Sequence, residues 1–333
     1  MRRVVVIGLV VAVIVVVGEI VRMDAANAEQ PAVRDGERFV GTYRLIAIEV
    51  KETATGEWEQ DQNFNSIGYI TYADTGHMGV HVMPRSRMRF TSNSPTGKEA
   101  QAALRGYTAY FGSFTVDDQG QFVVHHRLGQ IDPGGATDAK RFYVLEGDRL
   151  ILTPAPADGA GKEHASRRII WERLPNPPLS AEAKKFVGFH KLLYTDRYRE
   201  KYGQEVFHGE KNYERAGTSY IIYTPTGHMM VHLMHKEGRT QYVDEEPTPD
   251  EALQAFLSYN GYFGRFTTYE NYRSPFVMHN QQGSMRPARD VDATKRFYQF
   301  TGNVLRLGGP PRLNDAGEMA GGHLYWERLP SIR

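Results

Sequence analysis

The chain of 333 residues contains no cysteine. Disulfides, a lipid-bearing thiol and thiolate chemistry are therefore excluded, and a fold kept outside a reducing compartment must rest on its packed core alone. Charge bias is missing too. Forty basic residues face 39 acidic ones with no basic stripe or block, so the electrostatic footprint of nucleic-acid binding is absent and no nucleic-acid partner is expected. No Gly-x-Ser-x-Gly, His-Glu-x-x-His, Walker-type or Gly-x-Gly-x-x-Gly sequence occurs, which leaves serine hydrolase, zincin, nucleotide hydrolase and dinucleotide enzyme without support. One apolar run stands out, Val4–Val17, and it is short for a bilayer span of about 20 residues.

That run follows Arg2-Arg3 and precedes Ala26-Asn27-Ala28, whose small residues suit a signal-peptide cleavage site. Residues 1–28 are therefore predicted to be a signal peptide cleaved after Ala28, giving a secreted or periplasmic protein with no membrane insertion once the leader is gone. The alternative is an uncleaved N-terminal anchor, because the stretch from Gly18 to Ala28 is long and carries Glu19, Arg22 and Asp24.

What the chain does contain, it contains twice. Tyr69–Met78 (YITYADTGHM) returns as Tyr220–Met229 (YIIYTPTGHM), and Tyr107–Thr115 (YTAYFGSFT) as Tyr259–Thr267 (YNGYFGRFT). Lys140-Arg141-Phe142-Tyr143 returns as Lys295-Arg296-Phe297-Tyr298, and Trp171-Glu172-Arg173-Leu174-Pro175 as Trp326-Glu327-Arg328-Leu329-Pro330. Order is kept throughout. Each copy is large enough for its own core, so this is a domain duplication and not a solenoid. The predicted domains are residues 38–175 and 185–330, joined by a spacer at 176–184 stiffened by Pro177-Pro178.

Within each copy, runs rich in β-branched and aromatic residues alternate with Gly-containing turns. Tyr69–Ala73, Asp74-Thr75-Gly76 and His77–Met83 read as a hairpin, with Pro225-Thr226-Gly227 at the equivalent turn. One helix interrupts the strands. Thr248-Pro249-Asp250-Glu251 is a capping box with proline at the first helical position, and Thr96–Leu104 is its weaker counterpart. Many short antiparallel strands with one short helix predict an all-β fold of two tandem antiparallel barrels, closed so that no strand edge is left to aggregate.

Gly41-Thr42-Tyr43-Arg44-Leu45, the Gly68–Tyr72 strand, Thr75-Gly76-His77-Met78, the Tyr107–Gly112 block, Val124-His125-His126 and the closing Trp-Glu-Arg resemble the bacterial and fungal lipocalin-like domain family. The resemblance runs through both copies. It implies an up-and-down β-barrel around a cavity for a small, mostly apolar molecule. It also implies a barrel floor closed by Gly41-Thr42-Tyr43 against Arg173, the tyrosine replacing the family's usual tryptophan and the arginine stacking on its ring. In the second copy Gly188-Phe189-His190 puts histidine at the aromatic position, so a looser floor is expected there, and the first copy stays nearer to the family pattern.

Three histidines recur in register: His77, His81 and His125 match His228, His232 and His279. Residues four apart on a strand share a face, so His77 and His81 can converge, and three imidazoles can hold a metal. No carboxylate recurs beside them to orient the rings, and no metal and no cofactor is assigned. The second reading lines a cavity with Tyr72, His81, Met83, Tyr107 and His125 in the first copy, and with Tyr223, His232, Met234, Tyr259 and His279 in the second. Methionine adapts to irregular ligands and suits such a pocket. The same strand face would look alike if covered by the helix or the sister domain, since periodicity does not say which face is inward. The expected partner is a small hydrophobic or amphipathic ligand. The alternative is an isomerase, cyclase or hydratase in which His81, His125, Tyr110, His232 and His279 move protons. Of Lys140-Arg141 and Lys295-Arg296, one of each pair would face inward, with Glu172 or Glu327 the partner of a buried arginine; the favoured alternative leaves both charges solvated at the barrel rim.

Overall fold

Gly76 and Gly227, at φ +74° and +75°, turn the predicted hairpin in both copies, in a left-handed conformation that glycine adopts without strain. The computed structural model describes residues 36–52, 55–92, 94–134, 137–156, 161–202, 204–287 and 293–332. The leader and its cleavage site lie outside the described residues. In the first copy the strands are β1 (Gly41–Lys51), β2 (Trp58–Gln60), β3 (Ser66–Tyr72), β4 (His77–Pro84), β5 (Thr108–Asp117), β6 (Phe122–Gln130), β7 (Asp138–Glu146), β8 (Arg149–Pro154) and β9 (Arg167–Arg173). Helix α1 (Gly97–Leu104) bridges β4 and β5. The second copy follows with α2 (Ala181–Phe186), β10 (Gly188–Lys201), β11 (Gln204–Phe207), β12 (Tyr220–Tyr223) and β13 (His228–Met234). After helix α3 (Pro249–Leu257) come β14 (Tyr259–Tyr269), β15 (Phe276–Ser284), β16 (Ala293–Thr301), β17 (Val304–Gly308), β18 (Arg312–Leu313) and β19 (Met319–Arg328).

Every neighbouring pair is antiparallel. β1 pairs with both β3 and β9, and β10 with both β12 and β19, so each copy closes into an eight-stranded barrel. β2, β11 and β18 are short strands that pair with the far ends of β1, β10 and β19. Among the described residues, closure leaves no ring strand without a neighbour on both sides. Thr96 caps α1 in a full capping box with Glu99, matching Thr248 and Glu251 on α3. The weaker sequence signal thus folds the same way.

Three cores hold the molecule. Tyr43, Tyr72, Met78, Val80, Tyr110, Leu150 and Trp171 fill the first barrel. Tyr223, Met229, Val231, Tyr262, Leu305 and Trp326 fill the second. The third core lies between the barrels, where Phe111, Met83 and α1 meet Tyr220, Met230, Phe263 and α3. Each large apolar side chain so buried stabilises the fold by about 1.5–3 kcal/mol, so this contact fixes the two barrels as one body. Part of the expected spacer belongs to the second barrel: α2 spans Ala181–Phe186, and Phe186 is fully buried in that barrel's core.

The barrel floors are built as the resemblance implied. Arg173 stacks on Tyr43 at 4.6 Å from the ring centre and donates to the Tyr43 hydroxyl and to the carbonyls of Val40 and Arg38. Tyr43 in turn donates to the Phe39 carbonyl at 2.9 Å. In the second barrel His190 Nε2 donates to the Phe186 carbonyl at 2.8 Å, and Arg328 reaches the Lys185 carbonyl. Histidine thus takes over the tyrosine's carbonyl bond. It lacks the bond to the arginine, and its Nδ1 is buried without a partner among the described residues.

Candidate functional site

Alternation along β3, β5 and β6 points Tyr72, Tyr110 and His125 into the first barrel. There the His125 ring bridges two tyrosines, with Tyr72 Oη 2.8 Å from Nε2 and Tyr110 Oη 2.9 Å from Nδ1. The second barrel repeats the arrangement: Tyr223 Oη is 2.7 Å from His279 Nε2, and Tyr262 Oη 2.9 Å from Nδ1. Burial holds both imidazoles well below their ordinary pKa and pushes all four phenols up. A neutral imidazole has one N–H, so in each bridge one tyrosine donates and the other accepts.

An arginine lies at one end of each bridge. Arg141 lies beside the Tyr110 hydroxyl, and Arg296 beside that of Tyr262. A guanidinium can only donate, so in this contact the tyrosine oxygen is the acceptor. Lys140 and Lys295 face outward, each ammonium 4.0 Å from a phenylalanine ring centre. The carboxylates expected for the inward arginines are elsewhere: Glu172 pairs with Arg44 and Glu327 with Lys191, both outside the barrels. The inward arginine is matched by a tyrosine hydroxyl and not by a carboxylate.

The other predicted site residues do not line a barrel. His81, Met83 and Tyr107 point outward from the first barrel, and His232, Met234 and Tyr259 outward from the second; together they form the contact between the two. His81 accepts from Tyr107 at Nδ1 (3.0 Å) and donates from Nε2 to the Val231 carbonyl of the other barrel (3.2 Å). His232 bonds Tyr259 at 2.6 Å. His77 and His228 lie on the same outer face, against Phe189 and Tyr69. His125 is on the inner side of the sheet, so the three histidines of the metal reading do not converge. Among the described residues no group of three or more His, Asp or Glu could hold a metal ion.

Sequence reasoning missed two features. Arg87 donates to the carbonyls of Ala103, Ser284 and Met285, and Arg239 to those of Gln130 and Ile131, so each barrel sends one arginine into the other. The signal was present, an arginine four or five residues after Met83 and Met234, but offset by one between the copies. The second feature stands where the first copy has the Glu49–Arg168 ion pair, at the same strand register. His323 is buried on the outside of the second barrel, between Asp196 at 2.9 Å and Glu205 at 3.3 Å.

Open space lies at the ends of the second barrel and along the seam. Opposite the His190 floor, a cleft of about 600 Å³ opens where β16 begins, lined by Thr294, Lys295, Arg296, Pro310, Arg312 and Leu324 among others. A second cleft of about 460 Å³ follows the seam beside Tyr107, Asp132 and Tyr242.

A model of the lipocalin-like domain matches residues 40–174 and again 213–329, more than half of the chain. The chain belongs to the lipocalin-like domain family. Its second lipocalin-like match begins after β10 and β11, although β10 completes that barrel. No curated protein matches the chain. Among solved structures it is similar to a protein of unknown function from the DUF3598 family of Nostoc punctiforme, at 9% identity over 87% of this chain and 96% of that one, with a TM-score of 0.20. It is also similar to an inactive mutant of the CurJ dehydratase in complex with a compound, at 9% identity over 83% and 95%, with a TM-score of 0.10. Scores this low carry nothing about function.

Proposed function

We propose that this lipocalin-like protein binds a small amphipathic molecule at the mouth of a barrel. The observation that carries this reading is the Arg-Tyr-His-Tyr chain, built twice in the same register, with a half-buried arginine facing the mouth. The lower part of each barrel is filled by aromatic side chains, so the ligand's apolar part lies against the upper wall, near Leu324 and Pro310 in the second barrel. The arginine end of the chain meets its polar part. Binding is favoured over acid–base turnover because His125 and His279 have both ring nitrogens bonded to tyrosine and are held neutral, with no ring nitrogen left to move a substrate proton.

Export completes the proposal, resting on Arg2-Arg3, the apolar run and Ala26-Asn27-Ala28. No helix among the described residues is long and apolar enough to cross a membrane. Native mass spectrometry of the chain from an exported fraction tests both parts. The expected result is a polypeptide beginning at Glu29 that carries a small molecule released on denaturation. A chain retaining Met1, or one that takes up no neutral hydrophobic probe and carries no adduct, would contradict the corresponding part.

A further inference from the structure

We infer that the molecule held at the mouth of the second barrel is an anion, its oxyanion head seated between Arg296 and Arg312. This rests on the binding reading above and adds the charge and the place. The cleft of about 600 Å³ is lined by two cationic side chains, Arg296 and Arg312, and by no carboxylate among the described residues, while the Lys295 ammonium lies outside over the Phe276 ring. Arg296 is committed elsewhere only in part, its Nη1 donating to the Lys295 carbonyl at 3.0 Å. Arg296 sits between the Tyr262 hydroxyl and Gly309, where a Cβ would come 3.5 Å from its Nη1; a bare backbone there leaves one side of the guanidinium open to the cleft. Arg312, on the exposed strand β18, closes the other side. Neither arginine has an ion-pair partner among the described residues, whereas Arg306 on the neighbouring strand, pointing outward, is paired with Glu205.

Thr294 adds a directed donor. Its Oγ accepts from Gln281 Nε2 at 2.8 Å, which leaves the hydroxyl proton for the cleft. Leu324 and Pro310 supply an apolar wall beside these donors. Two guanidinium forks, one hydroxyl and an apolar wall fit a carboxylate or a phosphate monoester on an alkyl or similar apolar body. A neutral alcohol of the same length would leave the guanidinium groups without an acceptor.

The test compares three probes of equal chain length, an alkyl carboxylate, an alkyl phosphate and the matching alcohol, by calorimetric titration of the full chain. The expected result is that at least one anion binds about tenfold or more tighter than the alcohol, as charge-assisted bonds require. Arg296→Gln should remove most of that preference, and Arg312→Gln, an exposed and structurally mild change, part of it. Arg306→Gln should leave it unchanged. Preference for carboxylate over phosphate, or the reverse, identifies the head. Equal binding of alcohol and anions, or an anion preference that survives both arginine changes, would overturn the inference while leaving the binding reading intact. No binding of any of the three would overturn both.

Discussion

His81 and His232 stack face to face across the contact between the barrels, ring centres 4.2 Å apart and planes 17° from parallel. Each comes from the same strand position of its copy, so the two-fold repetition in the sequence becomes a near two-fold axis running between two imidazoles. The stack is stable with both rings neutral. Burial holds His81 down to about 3 and His232 well below its ordinary value.

The first prediction concerns acid. A histidine whose folded pKa is depressed is neutral in the folded chain and protonated in the unfolded one between the two values. Its contribution is complete above about pH 6.5 and falls as pH drops toward the folded value. His125, His190, His228 and His279 shift in the same direction and add to the slope. The unfolding free energy in urea should therefore fall steeply between about pH 7 and pH 4.5, by up to about 1.4 kcal/mol per pH unit for each buried histidine, and the midpoint with it. A midpoint that stays level over that range would show that these rings are not buried neutral. The paired change His81→Phe with His232→Phe should flatten the slope.

The second prediction concerns the crossed arginines. Arg239→Ala strands the Gln130 and Ile131 carbonyls, and Arg87→Ala those of Ser284 and Met285. Each should lower unfolding free energy by about 2–4 kcal/mol, with little help from lysine, whose point charge cannot span two carbonyls. Equilibrium denaturation measures it. A loss below about 0.5 kcal/mol, the range of ordinary surface changes, would mean that the two barrels do not depend on these bonds.

The third prediction uses the repeat as its own control. Tyr72→Phe leaves His125 Nε2 without its partner inside the first barrel, and Tyr223→Phe does the same to His279. Each should cost about 1–3 kcal/mol, and the two costs should be similar because the geometries are. A large cost in one barrel and none in the other would show that the two bridges are not equivalent.

These elements also show what the sequence could and could not disclose. The hairpin at Gly76, the helix after Thr96 and the Trp-Glu-Arg ending were legible because local chemistry determines them and the second copy repeats them. The inward face of β4 was not. Met78 and Val80 fill the barrel, while Gly79, His81 and Met83 meet the sister barrel, so both faces are buried and alternation carries no sign of which is which. Histidine and methionine suit a ligand wall and a domain contact equally well. The inward tyrosines and His125 could be named, but their pairing into a bridge depends on strand register, which single residues do not reveal.

The floors give a fourth prediction. A Cβ on Gly41 would lie 2.5 Å from Arg173 Nη1, whereas on Gly188 it would meet Arg328 Nε at 3.3 Å. Gly41→Ala should therefore displace Arg173 from Tyr43 and destabilise more than Gly188→Ala. Thermal unfolding of the two variants decides it, and equal or reversed losses would show that the Tyr43–Arg173 floor is no tighter than its His190 counterpart.

The central claim is that a small amphipathic molecule is held at the mouth of the second barrel. Backbone amide shift mapping during titration with an alkyl carboxylate tests it most directly. The account predicts saturable shifts centred on Thr294, Arg296, Gly309 and Leu324, with the Tyr107–His81 seam unmoved. Shifts confined to that seam, or none at saturating ligand, would contradict it.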